Sequence, residues 1–327
     1  MVRIATNPSA WTRLSAVAGG TIWLGLLAMS PGDREQPWVI RAIQFAILVV
    51  IPFTLALIAP VERAGRSYDL YRMSIWLQPV AGSLAALSFW RPSGAGAAAL
   101  AVPWFACTVV VALYGGARLL RTRPGAAELC LCAGMALLPV GSGWLLLHRA
   151  GLAPGGYSPT LVLLIALHYH YAGFAAPILT GLAGQRLAAL PLNRPIRHAY
   201  RAVAAGVCVG SPLVAIGTTA APLIEVCAVL VLASSLVGLA LLVLACIVPR
   251  LRPLLGRALL TVSSSAVLVS MLLAVVYAIS NGIGRPLLSV GQMERVHGTA
   301  NAMGFVLCGL LAWSVLPPSL PSLATEE

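Results

Sequence analysis

Charge is the scarcest property of this sequence. Only 9% of its 327 residues are Asp, Glu, Lys or Arg, against roughly 25% in a soluble domain. Lysine is absent, all 21 basic residues are arginine, and acids number nine. So little charge cannot clothe a water-facing surface, which excludes a soluble fold. Motif chemistry is equally sparse. There is no GxxxxGK[ST] loop, no HExxH, no GxSxG, no nucleic-acid module and no dense acidic cluster, so no cofactor, no metal and no nucleic-acid partner are expected. The seven cysteines (Cys107, Cys130, Cys132, Cys208, Cys227, Cys246 and Cys308) form no CxxC and are odd in number. Cys130 and Cys132 point to different faces of a helix, which is poor metal geometry. All seven read as buried thiols acting as small hydrophobes.

Apolar length is present in quantity. The chain is 59% hydrophobic, with a mean hydropathy of +0.91, as in an integral membrane protein. Ten apolar segments stand out, at roughly 14–30, 39–60, 71–90, 94–115, 125–147, 158–182, 199–219, 221–248, 258–280 and 296–317. Most reach the ~20 residues needed to cross a ~30 Å hydrocarbon core. The first is short, the third carries Gln78 and Pro79, and the seventh and eighth are divided only by the turn at Ala221-Pro222. The N-terminus has the charge order of a signal peptide but is read as a first membrane helix, because further spans follow.

Arginine placement sets the topology. Arg3, Arg13, Arg63, Arg66, Arg72, Arg118, Arg121, Arg123, Arg186, Arg194, Arg197, Arg201, Arg250, Arg252 and Arg257 fall on one side, fifteen in all. Arg34, Arg41, Arg91, Arg149, Arg285 and Arg295 fall on the other, six in all. The alternation predicts an all-α, polytopic transmembrane bundle of about ten helices, N-in and C-in, as one transmembrane domain over residues 1–327. The net charge of +12 then serves topology and contact with membrane lipids rather than nucleic acid. Arg- and Ala-rich usage suggests a bacterial source and hence the inner membrane. Small residues at 94–100 (GAGAAAL) suit close helix packing, and no internal repeat is evident.

Ionisable groups at membrane depth are costly and mark function. Four occur in a row, His168, Tyr169, His170 and Tyr171, in the sixth segment. On a regular helix His168 and Tyr171 share a face and His170 points about 200° away from His168, so HYH is no chelate; Gly173 and Pro177 can loosen that geometry. Glu128 and Glu225 each begin a segment. A carboxyl in apolar surroundings can stay protonated and act as a general acid; a first-turn acid stabilised by the helix dipole is the plain alternative. His297 and Asn301 are i and i+4 near the outer end of the last segment, as are Tyr277 and Asn281 at the end of the ninth. With His168 or His170 as one wall, they form a candidate cavity in the outer half. Glu294 reads as a loop acid. The tryptophans Trp38, Trp76, Trp90, Trp104, Trp144 and Trp313 fall mostly near segment ends, as an interfacial belt, though aromatic faces such as Trp144 also suit a carbocation.

Two of these stretches are familiar. HYHYAGFAAPILTGLAG resembles the HFHYAGF signature of the YndJ-like bacterial integral membrane proteins, with Tyr169 where Phe is expected. VHGTANAMGFVLCGLLAW resembles that family's C-terminal HG-x-x-NA-x-GF element, and LPVGSGWLLL also fits. The resemblance covers about 125–317, leaves helices in 1–124 unmatched, and singles out His168, His170, Tyr171, Gly173, His297, Gly298, Asn301 and Gly304. It implies a link to bacterial terpenoid and indole-terpenoid pathways, where a membrane cyclase acts on an epoxidised prenyl chain. The expected function is a cofactor-independent membrane enzyme cyclising or isomerising an isoprenoid. His168, His170, His297, Glu128 and Glu225 are the catalytic candidates, and Tyr171, Tyr277, Asn301 and Trp144 line a hydrophobic small-molecule substrate. A proton-coupled exporter of a hydrophobic small molecule is the alternative.

Overall fold

A computed structural model describes residues 8–29, 37–60, 64–120 and 124–316. Arg3, Arg34, Arg63, Arg121 and Arg123 of the topology pattern lie outside these residues. The described chain is ten helices with no strand: α1 Pro8–Ala28, α2 Pro37–Leu57, α3 Arg66–Ser88, α4 Ala95–Leu119, α5 Ala126–Ala150, α6 Pro159–Ala188, α7 Arg194–Ala220, α8 Pro222–Arg250, α9 Leu254–Gly282 and α10 Val290–Val315. Side-chain caps start several of them. Ser158 accepts from the Leu161 N–H, Asn193 from the Ile196 N–H, and Ser289 and Gln292 form a reciprocal capping box. That box starts α10 earlier than the apolar run does, so Glu294 is helical rather than in a loop.

Eight helices, α2 and α4 to α10, are long and apolar enough to cross a membrane. The polar content of α1 and α3 keeps them below that level. In α3 the polarity is turned inward: Tyr71, Ser74, Gln78 and Ser88 are buried, while Met73, Trp76, Leu77, Val80 and Leu87 are exposed. This is the arrangement that lipid demands, apolar outside and hydrogen-bonded within. α1 likewise exposes Leu14, Val17, Ile22 and Leu24 and buries Thr12.

The chain divides into two compact units. The first comprises Met1–Arg123 and Leu131–Ile178, the second Pro124–Cys130 and Leu179–Glu327. In the first, α1 packs on α2 and α3 runs along α4; in the second, α7 packs along α8, α8 along α9, and α9 against α10.

Proline and carbonyl chemistry shape the first unit. A proline has no N–H and its ring presses on the carbonyl four residues back. In α2 the backbone is π-helical over Ala46–Val50, just ahead of Pro52. The Ile47 carbonyl, five residues before Pro52, instead accepts the Gln78 Nε2–H at 2.9 Å. The Leu48 carbonyl, four before, faces Gly19 on α1, where any Cβ would collide with it. Pro79 likewise strips a donor from Ile75, and the Trp11 indole N–H takes that carbonyl at 3.1 Å. Helix ends are closed the same way. Tyr114 and Arg118 donate to the Ile58 carbonyl at 2.7 and 3.0 Å. The buried Arg149 donates to the Ser88 and Arg91 carbonyls at 3.0 and 2.6 Å, with its guanidinium over the Phe89 ring. A cation at a helix C-terminus also complements the macrodipole.

Among the described residues there are four π segments: Ala46–Val50, Tyr169–Ala175, Val243–Ile247 and Ala300–Leu307. The first three each end two residues before a proline, at Pro52, Pro177 and Pro249. Both histidine motifs run into π segments, with His170 inside the second and His297 three residues before the fourth, a geometry frequent at functional sites.

Candidate functional site

The first motif closes around His170 in the first unit. α6 leaves α geometry at Tyr169, so the regular-helix expectation that His168 and Tyr171 share a face does not hold there. His168 is part-exposed and stands edge-on to the Tyr169 ring at 5.6 Å. His170 is fully buried. Its Nδ1 lies 2.7 Å from the Ala166 carbonyl, and Trp104 Nε1 lies 3.3 Å from its Nε2. A carbonyl only accepts and an indole N–H only donates. His170 is therefore neutral, protonated on Nδ1, with both nitrogens engaged. Trp104 is stacked on it at 6.2 Å and 14°. Gly141 of α5 makes the room, since a Cβ there would stand 2.9 Å from His170 Nδ1. Tyr171, also buried, donates to the Ala42 carbonyl at 2.9 Å.

The second motif is built differently. His297 of α10, in the second unit, directs Nδ1 at the Ser270 carbonyl of α9 (2.9 Å) and at its Oγ (3.0 Å). The carbonyl contact again fixes the proton on Nδ1, which leaves Nε2 as an acceptor. Asn301, one turn on, brings its amide Nδ2 to 3.0 Å from Nε2. The i, i+4 pairing predicted for His297 and Asn301 is thus a direct contact. Unlike His170, His297 and Asn301 are only half-buried. Ser270 is fully buried and serves as an orienting group. One turn before His297, Glu294 continues the same face of α10, so Glu294, His297 and Asn301 form one stripe. Tyr277 lies seven residues beyond Ser270, on the same face of α9. Below the stripe, Gly304 packs on Ala266, and Ser263 donates to the Phe305 carbonyl at 2.7 Å.

The remaining candidates stand apart. Glu225 is half-buried in the first turn of α8. Its backbone lies against Gly217, and the adjacent Val226 touches Gly282 at the end of α9. Gly282 is twelve residues beyond Ser270, about 18 Å along the helix, so Glu225 does not join the His297 stripe. Glu128 is half-buried in the first turn of α5, where the dipole favours a carboxylate. Trp144 stacks on Tyr157 of the following loop, ring centroids 6.2 Å apart, as an interfacial aromatic does. A cavity of about 20 Å³ in the second unit, lined by Leu179, Val243, Leu260, Ser264, Phe305 and Trp313, has room for about one water and includes none of the sequence candidates.

Sequence reasoning missed three partners: Trp104, Ser270 and Arg149. The sequence places Trp104 with the interfacial belt, yet it is buried well inside α4. Its depth from the start of the segment was the available signal. For Ser270 and Arg149 no local signal exists, since their partners are on other helices.

Ten helices, eight of them apolar enough to span, and inward-facing polar groups define a multi-pass helical membrane protein. A family model described as YndJ-like protein matches residues 41–305, and the chain belongs to that family. The match begins within α2, well upstream of residue 125, where the motif resemblance stopped. The chain is 26% identical over 304 residues to "Uncharacterized membrane protein YndJ" of Bacillus subtilis (strain 168), covering 92% of this chain and 53% of that protein. It thus spans about half the length of that curated relative. No solved structure matches the chain.

Proposed function

We propose that the second unit is a proton-handling site centred on His297, which acts by acid–base chemistry on an apolar small molecule of the isoprenoid class in the bacterial plasma membrane. One observation carries this: the Ser270 carbonyl holds the proton on Nδ1, so that Nε2 of a half-buried imidazole is a base. Glu294, one turn nearer the loop, exchanges the proton with the aqueous side. Asn301 positions Nε2, and Tyr277 borders the substrate. Glu294 in its protonated form gives its proton to an epoxide or alkene of the substrate, the resulting cation cyclises between apolar walls and loses a proton to Nε2, and the imidazolium passes that proton back to Glu294. Both nitrogens of His170 are engaged, so His170 is a positioning residue that sets the α4–α6 packing. Glu128, Glu225 and His168 fall outside this assignment. Partnership with membrane lipids follows from the exposed apolar faces.

The test compares lipid extracts from cells carrying the wild type, a deletion and His297→Gln. The expected result is a linear isoprenoid that accumulates in the deletion and in His297→Gln and is cyclised in the wild type. Identical extracts from wild type and deletion would overturn the enzyme assignment. The second reading, proton-coupled export, is favoured by the π-helical interruptions in α6 and α10, the kind of discontinuity that transporters place at their sites. It predicts unchanged chemistry but a shift of the compound from medium to cells in the deletion.

A further inference from the structure

The sequence marks all seven cysteines as small hydrophobes, and one pair departs from that. Cys130, in the second turn of α5, and Cys208, midway along α7, bring their Sγ atoms to 3.6 Å within the second unit. Cys130 is completely buried and Cys208 is half-buried. Cys132, two residues on, falls in the first unit. Other polar groups stand around the two sulfurs. The Cys130 thiol donates to the Ala204 carbonyl at 3.8 Å. The Tyr200 hydroxyl donates to the Thr180 carbonyl at 3.2 Å. Gly184 provides the space in which the Tyr200 hydroxyl sits.

We propose that Cys130 and Cys208 form a two-sulfur site for a soft monovalent d10 cation, Cu(I). Softness selects the metal, because thiolates favour Cu(I) over hard cations. Ligand count excludes zinc: structural zinc takes four ligands, and no group of three or more His, Cys, Asp or Glu occurs among the described residues. Two metal–sulfur bonds in line span about 4.6 Å, taking ~2.3 Å for each. The pair therefore opens by about 1 Å, which a side-chain rotation of the half-exposed Cys208 supplies. Loading deprotonates both thiols and releases two protons to solvent; copper enters and stays as Cu(I), with no electron transferred. The resulting anionic centre lies about two turns inward of Arg201 and three of Arg197 on the same helix α7. The site is independent of the His297 assignment, and its test does not involve turnover.

Full-length protein in detergent, with ascorbate to hold copper as Cu(I), is titrated against a chromogenic Cu(I) chelator. The expected result is one equivalent bound, with near-ultraviolet sulfur-to-copper absorption. Affinity should fall by about tenfold or more in Cys130→Ser and in Cys208→Ser, since even outer-shell changes cost ~10–100-fold. Cys132→Ser and Cys227→Ser should bind as the wild type does. Circular dichroism and size exclusion verify that each variant is folded. Equal Cu(I) uptake by wild type and by the folded Cys130→Ser/Cys208→Ser double variant, or no uptake by the wild type, would overturn the proposal.

Discussion

The two imidazoles are in the same protonation state but have different chemical freedom. In each, a backbone carbonyl holds the proton on Nδ1, so Nε2 is the acceptor. Trp104 occupies Nε2 of His170 inside a sealed pocket. At His297 the occupant is Asn301, whose side chain can rotate away on a half-exposed surface. Trp104→Phe therefore strands a buried acceptor and should cost about 1–3 kcal/mol of stability, while leaving activity per folded molecule unchanged. His297→Gln should keep the melting temperature within a few degrees and remove activity. A thermal-shift assay run beside the extract comparison separates these outcomes. An activity loss in Trp104→Phe that matches the His297→Gln loss, at equal folded protein, would refute the division of roles. The identities of both histidines were legible in the sequence, because ionisable groups are rare at membrane depth. Their partners were not, because a hydrogen bond between α4 and α6 leaves no trace in either segment alone.

At the level of the helix, the recurring device is a proline followed back to the carbonyls it deprives. The π segments before Pro52, Pro177 and Pro249 follow one rule: with no N–H at the proline, the preceding turn widens. The sequence announces the prolines. It does not announce which helix supplies the compensating donor, and Gln78 was legible only as a polar residue in a weak span. Coupling between Pro52 and Gln78 is the check. Gln78→Leu should cost about 1 kcal/mol, the scale of an interhelical hydrogen bond in a membrane protein. In a Pro52→Ala background, where a backbone N–H returns to α2, the same change should cost close to nothing. A double-mutant cycle on detergent-solubilised protein measures the difference. An additive cycle would mean that Gln78 does not stand in for the missing proline donor.

For the molecule as a whole, the count of crossings depends on α1 and α3, the two helices too polar to pass on mean hydropathy. Their mean hides their orientation. α3 buries Gln78, Ser74 and Ser88 and turns Trp76, Leu77 and Val80 outward, so its lipid-facing surface is apolar although its average is not. The arginine alternation points the same way, and the ten-helix count was already legible in it; the inward turn of α3 required coordinates. The loop between α2 and α3 decides the matter. If all ten helices cross, Ala64 is cytoplasmic, and Pro92 and Ala153 are external. If α1 and α3 lie in the interface and only eight cross, α2 must run outward and Ala64 becomes external, while Pro92 and Ala153 stay where they are. Single cysteines at Ala64, Pro92 and Ala153, all exposed positions, in a background with the seven native cysteines replaced, can be probed in intact cells with a membrane-impermeant maleimide. Labelling is expected at Pro92→Cys and Ala153→Cys, and at Ala64→Cys only after the membrane is permeabilised. Labelling of Ala64→Cys in intact cells would reduce the crossings to eight.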